Sequence, residues 1–206
     1  RLLGPDCGEG GVIMEAQAAL LIVDVQNDFC PGGALQVTDG DRVVAPINRA
    51  AERFAAAGRP VLATRDWHPP QTRHFREFGG SWPVHCVQGT PGADFHPDLR
   101  LPQGALVLSK GCNPEQDGYS AFDGVDEAGR ALKTVLLELG VRQLYLAGLA
   151  TDYCILFTAR EALRNGFQVT VLIDAVAGVD VIPGDAERAL EELTDLGGRL
   201  LKVEAV

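Results

Sequence analysis

The sequence predicts a three-layer α/β/α domain built on a mostly parallel, six-stranded sheet. Three observations carry that expectation. Six short apolar runs recur at 18–25, 60–64, 105–109, 143–147, 168–173 and 199–203, rich in Val, Leu and Ile and apolar on both faces, as strands covered on both sides are. Longer stretches of helical period lie between several of them. Gly residues close those stretches, at Gly58, Gly140, Asn165-Gly166 and Gly197-Gly198.

The elements follow in chain order. After the first run, 41–57 places Val43, Val44, Ile47, Ala50, Ala51 and Phe54 at helical spacing, and Pro46 sets the first regular turn later than Asp41. The second run leads into 66–104, which breaks the rhythm and is rich in Pro, Gly, His and aromatics. An irregular stretch of that size inside one domain is usually functional. Past the third run, 125–139 carries Ala128, Leu132, Val135, Leu136 and Leu139 as a helix. The stretch 151–164 is apolar nearly all round and reads as a buried helix. The stretch 185–196 is amphipathic and precedes the last run.

With 206 residues the chain fits one domain with a sizeable core. Lys and Arg total 18 against 28 for Asp and Glu, a formal charge of −10, which excludes polyanionic partners: neither nucleic acid nor an anionic membrane is expected. No apolar run is long enough to cross a bilayer. Five widely spaced cysteines (Cys7, Cys30, Cys86, Cys112, Cys154), none in a CxxC pair, read as the reduced thiols of a cytoplasmic protein. The single Met, Met14, is read as the native start, so that 1–13 form an upstream or non-native extension and 14–206 the working domain.

In parallel α/β sheets ligands bind beyond the carboxyl ends of the strands. Asp24, Asp66, Lys110 and Cys154 each stand at or just past such an end. Cys154 opens a predicted helix, whose free N–H groups and positive pole lower a thiol pKa and can receive an oxyanion. Asp24 is a candidate base, and Lys110 would keep that carboxylate charged and favour the thiolate. The competing reading is an inert buried Cys beside a structural Asp–Lys ion pair. A second constellation is Asp66-Trp67-His68, whose first and third residues point the same way in an extended segment. His85 would add a ligand and His74 a fourth. One carboxylate with two or three imidazoles suits zinc, with iron or manganese as alternatives. His96 is read as a structural loop residue. Phe29, Trp67, Trp82 and Tyr119 lie in loops after strands, where they offer a wall for a flat ring or simply pack.

Five motifs in order now resemble one family: Asp24-Val25-Gln26-Asn27-Asp28-Phe29-Cys30, Arg65-Asp66-Trp67-His68-Pro69, Trp82-Pro83-Val84-His85-Cys86, Lys110-Gly111 and Ala150-Thr151-Asp152-Tyr153-Cys154. Together they resemble the nicotinamidase/pyrazinamidase family of the isochorismatase-like cysteine hydrolase superfamily. The resemblance implies the isochorismatase-like hydrolase fold and hydrolysis of nicotinamide to nicotinate and ammonia through a thioester, in NAD salvage, with pyrazinamide as a further substrate. It implies a triad of Asp24, Lys110 and Cys154 and an oxyanion hole from the N–H groups of Ala150 and Cys154, with a cis peptide before Ala150. It also implies one divalent metal, zinc first, on Asp66, His68 and His85, with His74 matching a further ligand of mycobacterial-type members. Phe29, Trp82 and Tyr119 match ring-binding positions. The partner expected is a small amide, and a homo-oligomer stays open. The segment 111–118 is longer and more polar than the family pattern. The alternatives are a relative acting on a carbamoyl or ureido substrate, an isochorismatase, which does not keep the nucleophilic Cys, and a catalytically silent metal-binding protein.

Overall fold

A computed structural model describes residues 16–206. Met14 and the extension proposed for 1–13 lie outside the described residues. Six strands, β1 (Ala18–Val23), β2 (Val61–Asp66), β3 (Leu106–Lys110), β4 (Gln143–Leu149), β5 (Gln168–Ala177) and β6 (Arg199–Leu201), pair in the order β3-β2-β1-β4-β5-β6, all parallel. Four helices connect them: α1 (Val44–Ala56), α2 (Leu132–Glu138), α3 (Leu156–Arg164) and α4 (Asp185–Asp195). No helix among the described residues is long and apolar enough to cross a membrane.

The two-residue period of a strand explains why the runs are apolar throughout. On β1, Ala18, Leu20 and Ile22 enter one core with Ile47, Ala50 and Phe54 of α1; Ala19, Leu21 and Val23 enter the other, with Leu132 and Leu136 of α2, Ala159 of α3 and Leu193 of α4. The ring of Phe54 meets Tyr145 of β4 edge-on, 5.2 Å between centroids.

Pairing on β1 turns one way to β2 and the other way to β4. The strand order therefore reverses between β1 and β4, and a crevice opens past their carboxyl ends. Asp24 leaves β1 in the left-handed region, φ 50°, which ends the strand two residues before the expected boundary.

The expected helix at 125–139 starts only at Leu132. Val125 instead pairs with Ser109 through two backbone hydrogen bonds of 2.8 and 3.1 Å. Asp126 then accepts from the N–H groups of Ala128 (3.0 Å) and Arg130 (2.8 Å), a local turn that outcompetes the helix. The stretch expected as one helix from Thr151 opens with a wide π turn over Thr151–Ile155 before α3. Past β2, the segment to 104 carries short single turns and isolated β-bridges but no long element, as its composition implied.

Gly148 sits opposite Val23 in the β4–β1 register, at φ 123°, where an added Cβ would lie 2.0 Å from the Val23 carbonyl oxygen. Gly166, at φ 83°, has open space around it. Gly148→Ala should cost roughly 3 kcal/mol or more, and Gly166→Ala only about 1–2 kcal/mol. Urea unfolding of both variants tests the contrast; equal losses would contradict the close approach.

Candidate active site

The four strand-end residues meet. The Lys110 ammonium lies 2.8 Å from Asp24 Oδ2, 2.6 Å from Asp66 Oδ1 and 3.5 Å from Cys154 Sγ, and it donates to the Gly118 carbonyl at 3.0 Å. All four groups are buried. Register explains the meeting: Asp66 and Lys110 are paired residues of β2 and β3, and Asp24 follows β1 beside them. Two residues not anticipated from sequence brace Asp24 and Asp66. Thr64 Oγ1 donates to Asp24 Oδ1 at 2.7 Å, and the Gln26 amide clasps the Asp66 backbone, donating to its carbonyl (2.8 Å) and accepting its N–H (2.7 Å). The signal for Thr64 was present: it stands two residues before Asp66 on β2 and shares its face.

Two buried carboxylates share one cation, and their titration diverges. Burial opposes the charge on Lys110, but Asp24 and Asp66 outweigh it and hold the ammonium well above its ordinary pKa. Burial also opposes the charge on Asp66, yet Lys110 and the neighbouring imidazoles hold it below the usual carboxylate range. For Asp24, burial and the Asp66 charge win, and its pKa rises. Burial pushes the Cys154 thiol well above its ordinary value, with Lys110 pulling the other way. The thiol at rest therefore keeps its proton, in contrast to the low thiol pKa expected from its helix start. The peptide between Leu149 and Ala150 is cis, as the resemblance implies.

Beside Asp66, three imidazoles converge. Each of His68, His74 and His85 offers one nitrogen within 4.8 Å of the others, and all three rings are buried. Their Nδ1 atoms face acceptors: Gly111 O at 3.1 Å, Asp117 Oδ1 at 2.8 Å and Pro83 O at 2.7 Å. Carbonyl and carboxylate oxygens only accept, so each Nδ1 carries a proton, and a neutral ring then keeps a lone pair on Nε2. Burial lowers the pKa of His74 and brings that of His85 down to about 4, so both are neutral near pH 7. His68 Nε2 is buried with no hydrogen-bond partner and lies 3.6 Å from Asp66 Oδ2. An orphaned ring nitrogen facing a carboxylate, with the neutral imidazoles of His74 and His85 beside it, fits a divalent metal. His74 stands in this cluster as closely as His68 and His85 do.

A pocket opens over this floor of Asp66, His74, His85 and Cys154. Phe29, Trp82 and Tyr119 line it, joined by Tyr153, Leu35 and Val179, which the sequence did not single out. Trp82 donates its indole N–H to the Tyr119 hydroxyl at 2.8 Å and meets the Tyr153 ring edge-on at 4.9 Å. Trp67 is not in the wall. Alternation that turns Asp66 and His68 inward turns Trp67 away, under the Arg65 guanidinium at 3.9 Å. His96 is a loop residue, accepting from Asp98 N–H at 3.2 Å. Cys30 and Cys86 belong to the core rather than the pocket lining.

Residues 18–205 match the family of isochorismatase domains. The chain belongs to that family. It is 45% identical to the nicotinamidase/pyrazinamidase of Mycobacterium tuberculosis over 181 residues, 85% of this chain and 93% of that protein. Among solved structures of the family, pyrazinamidase of Pyrococcus horikoshii in complex with zinc superposes with a TM-score of 0.83 at 44% identity, covering 90% of this chain and 99% of that one. PnC1 from L. infantum in complex with nicotinate gives 0.80 at 38% identity, covering 92% and 94%.

The shared ammonium makes a stability prediction. Lys110→Met keeps an unbranched side chain, one atom shorter, and leaves two buried carboxylates without a counter-charge, which should cost about 3–5 kcal/mol. Denaturant unfolding at neutral pH reads this directly; a loss under 1 kcal/mol would mean that the carboxylates do not depend on Lys110.

Proposed function

We propose that this protein is a nicotinamidase: a metal-dependent cysteine amidohydrolase that converts nicotinamide to nicotinate and ammonia, accepts pyrazinamide, and serves NAD salvage in the reducing cytoplasm. The observation that carries the reading is a Lys110 ammonium within 3.5 Å of Asp24, Asp66 and Cys154, beside three converging imidazoles under an aromatic pocket.

Asp66, His68 and His85, with His74 as a fourth ligand, would hold the metal, zinc ahead of iron or manganese. When bound, that ion supplies a Lewis-acidic contact suited to the ring nitrogen of a pyridine. Phe29, Trp82 and Tyr119 flank the flat ring and leave its carboxamide over Cys154. Asp24, its basicity raised by burial, takes the thiol proton as sulfur bonds to the amide carbon. The N–H groups of Ala150 and Cys154 receive the oxyanion. Asp24 returns the proton to the departing nitrogen, the C–N bond breaks, and ammonia leaves a nicotinoyl thioester. Water then gives a proton to Asp24 and its oxygen to the acyl carbon. The C–S bond breaks, and Asp24 restores the thiol. Lys110 stays an ammonium throughout and keeps Asp24 ionised enough to act. The imidazole cluster separates this reading from relatives acting on carbamoyl or ureido groups, which have no ring nitrogen to hold. The Cys154 nucleophile separates it from vinyl-ether hydrolysis.

Cys154→Ala should lower ammonia release from nicotinamide by about 10⁴-fold or more while zinc still binds. Asp24→Asn should lower it by about 10²–10⁴-fold. A chelator should abolish turnover of the parent chain and zinc restore it. Near-native turnover by Cys154→Ala would overturn covalent catalysis, and chelator-resistant turnover would overturn the metal.

A further inference from the structure

The polar segment 111–118 after β3 reaches three groups of the site at once. Gly111 O accepts from His68 Nδ1, Gly118 O accepts from the Lys110 ammonium, and Asp117 Oδ1 accepts from His74 Nδ1 at 2.8 Å. The same segment grips the chain before His74: Pro114 O accepts from Arg73 N–H at 2.9 Å and from the Thr72 hydroxyl at 3.1 Å. His74 differs from its two neighbours in one respect. His68 and His85 are oriented by backbone carbonyls, but His74 is oriented by a side chain. That side chain is 56% exposed and approaches the ring from the side opposite the bare Nε2.

We propose that Asp117 is a positioning residue that recruits His74 to the metal. Its carboxylate holds the proton on Nδ1, fixes the ring plane and raises the basicity of Nε2, so that His74 joins His68 and His85 as a full ligand. Without Asp117 the ring can take the other tautomer or turn its protonated nitrogen to the cluster, and one ligand is lost. The polar extension of 111–118 is thus a support for the fourth ligand. This rests on the metal reading above.

Zinc affinity of the full chain, measured by competition with a chromogenic chelator, and the visible spectrum of the cobalt(II) form test it together. Asp117→Ala should bind zinc roughly 10- to 100-fold more weakly, and its cobalt spectrum should move to that of His74→Ala. Asp117→Asn keeps an acceptor at the same place and should recover part of the loss. The Asp117→Ala/His74→Ala double variant should bind no more weakly than His74→Ala alone, because Asp117 acts through His74. Asp117→Ala with the zinc affinity and cobalt spectrum of the parent overturns the proposal, as does a double variant that sums the two single losses. A parent chain that takes up neither metal overturns the metal reading, and this proposal with it; uptake by the parent with no change in Asp117→Ala overturns the proposal alone.

Discussion

Lys110 is the constraint on which the site depends. One fully buried ammonium serves Asp24 and Asp66, and the two carboxylates do not share it equally. Asp66 also faces His68 and His85 and is held as a firm anion, which suits the metal-ligand role proposed for it. Asp24 has only Lys110 and the Thr64 hydroxyl against complete burial, and its affinity for a proton rises. The same cation thereby leaves one carboxylate suited to a metal and the other suited to proton transfer. A second cation here would make Asp24 a weaker base; removal of the one present would neutralise one of the carboxylates.

The fold supplies this arrangement at the place where strand order reverses. β1 and β4 end side by side and deliver Asp24 and Cys154, and β2 and β3 deliver Asp66 and Lys110 as paired residues. Close approach at Gly148 brings β4 against Val23 just before the turn that carries Cys154. The irregular segment 66–104 then has freedom that strands lack, and it wraps His74, Trp82 and His85 over the strand ends. Rigid strands hold the groups proposed to react, and loops hold the groups proposed to select the substrate.

Much of this was legible in the sequence, for physical reasons. Runs apolar on both faces report a buried parallel sheet, and a titratable residue at the end of such a run has few places to go except the crevice. His68, His74 and His85 gathered in one irregular segment already marked a candidate metal cluster, and the resemblance implied ring-binding positions at Phe29, Trp82 and Tyr119. What the sequence did not carry depends on competition or on burial. Asp126 looks like a first-turn helix residue, but its carboxylate finds the N–H groups of Ala128 and Arg130 first, and α2 starts late. Trp67 has the composition of a pocket wall and the wrong parity for one. The thiol of Cys154 begins a helical segment, yet desolvation outweighs its position, and no motif reports desolvation. Asp117 stands 43 residues from His74, a pairing that only the fold brings about.

The central claim is that Cys154 carries the acyl group between the two proton transfers of Asp24. Acid-quenched turnover of nicotinamide, followed by peptide mass mapping, tests it most directly. The account predicts a nicotinoyl group on the peptide that contains Cys154 and on no other, present during turnover and gone when substrate is exhausted. An unmodified Cys154 peptide throughout turnover, or a nicotinoyl group on a different residue, would contradict it.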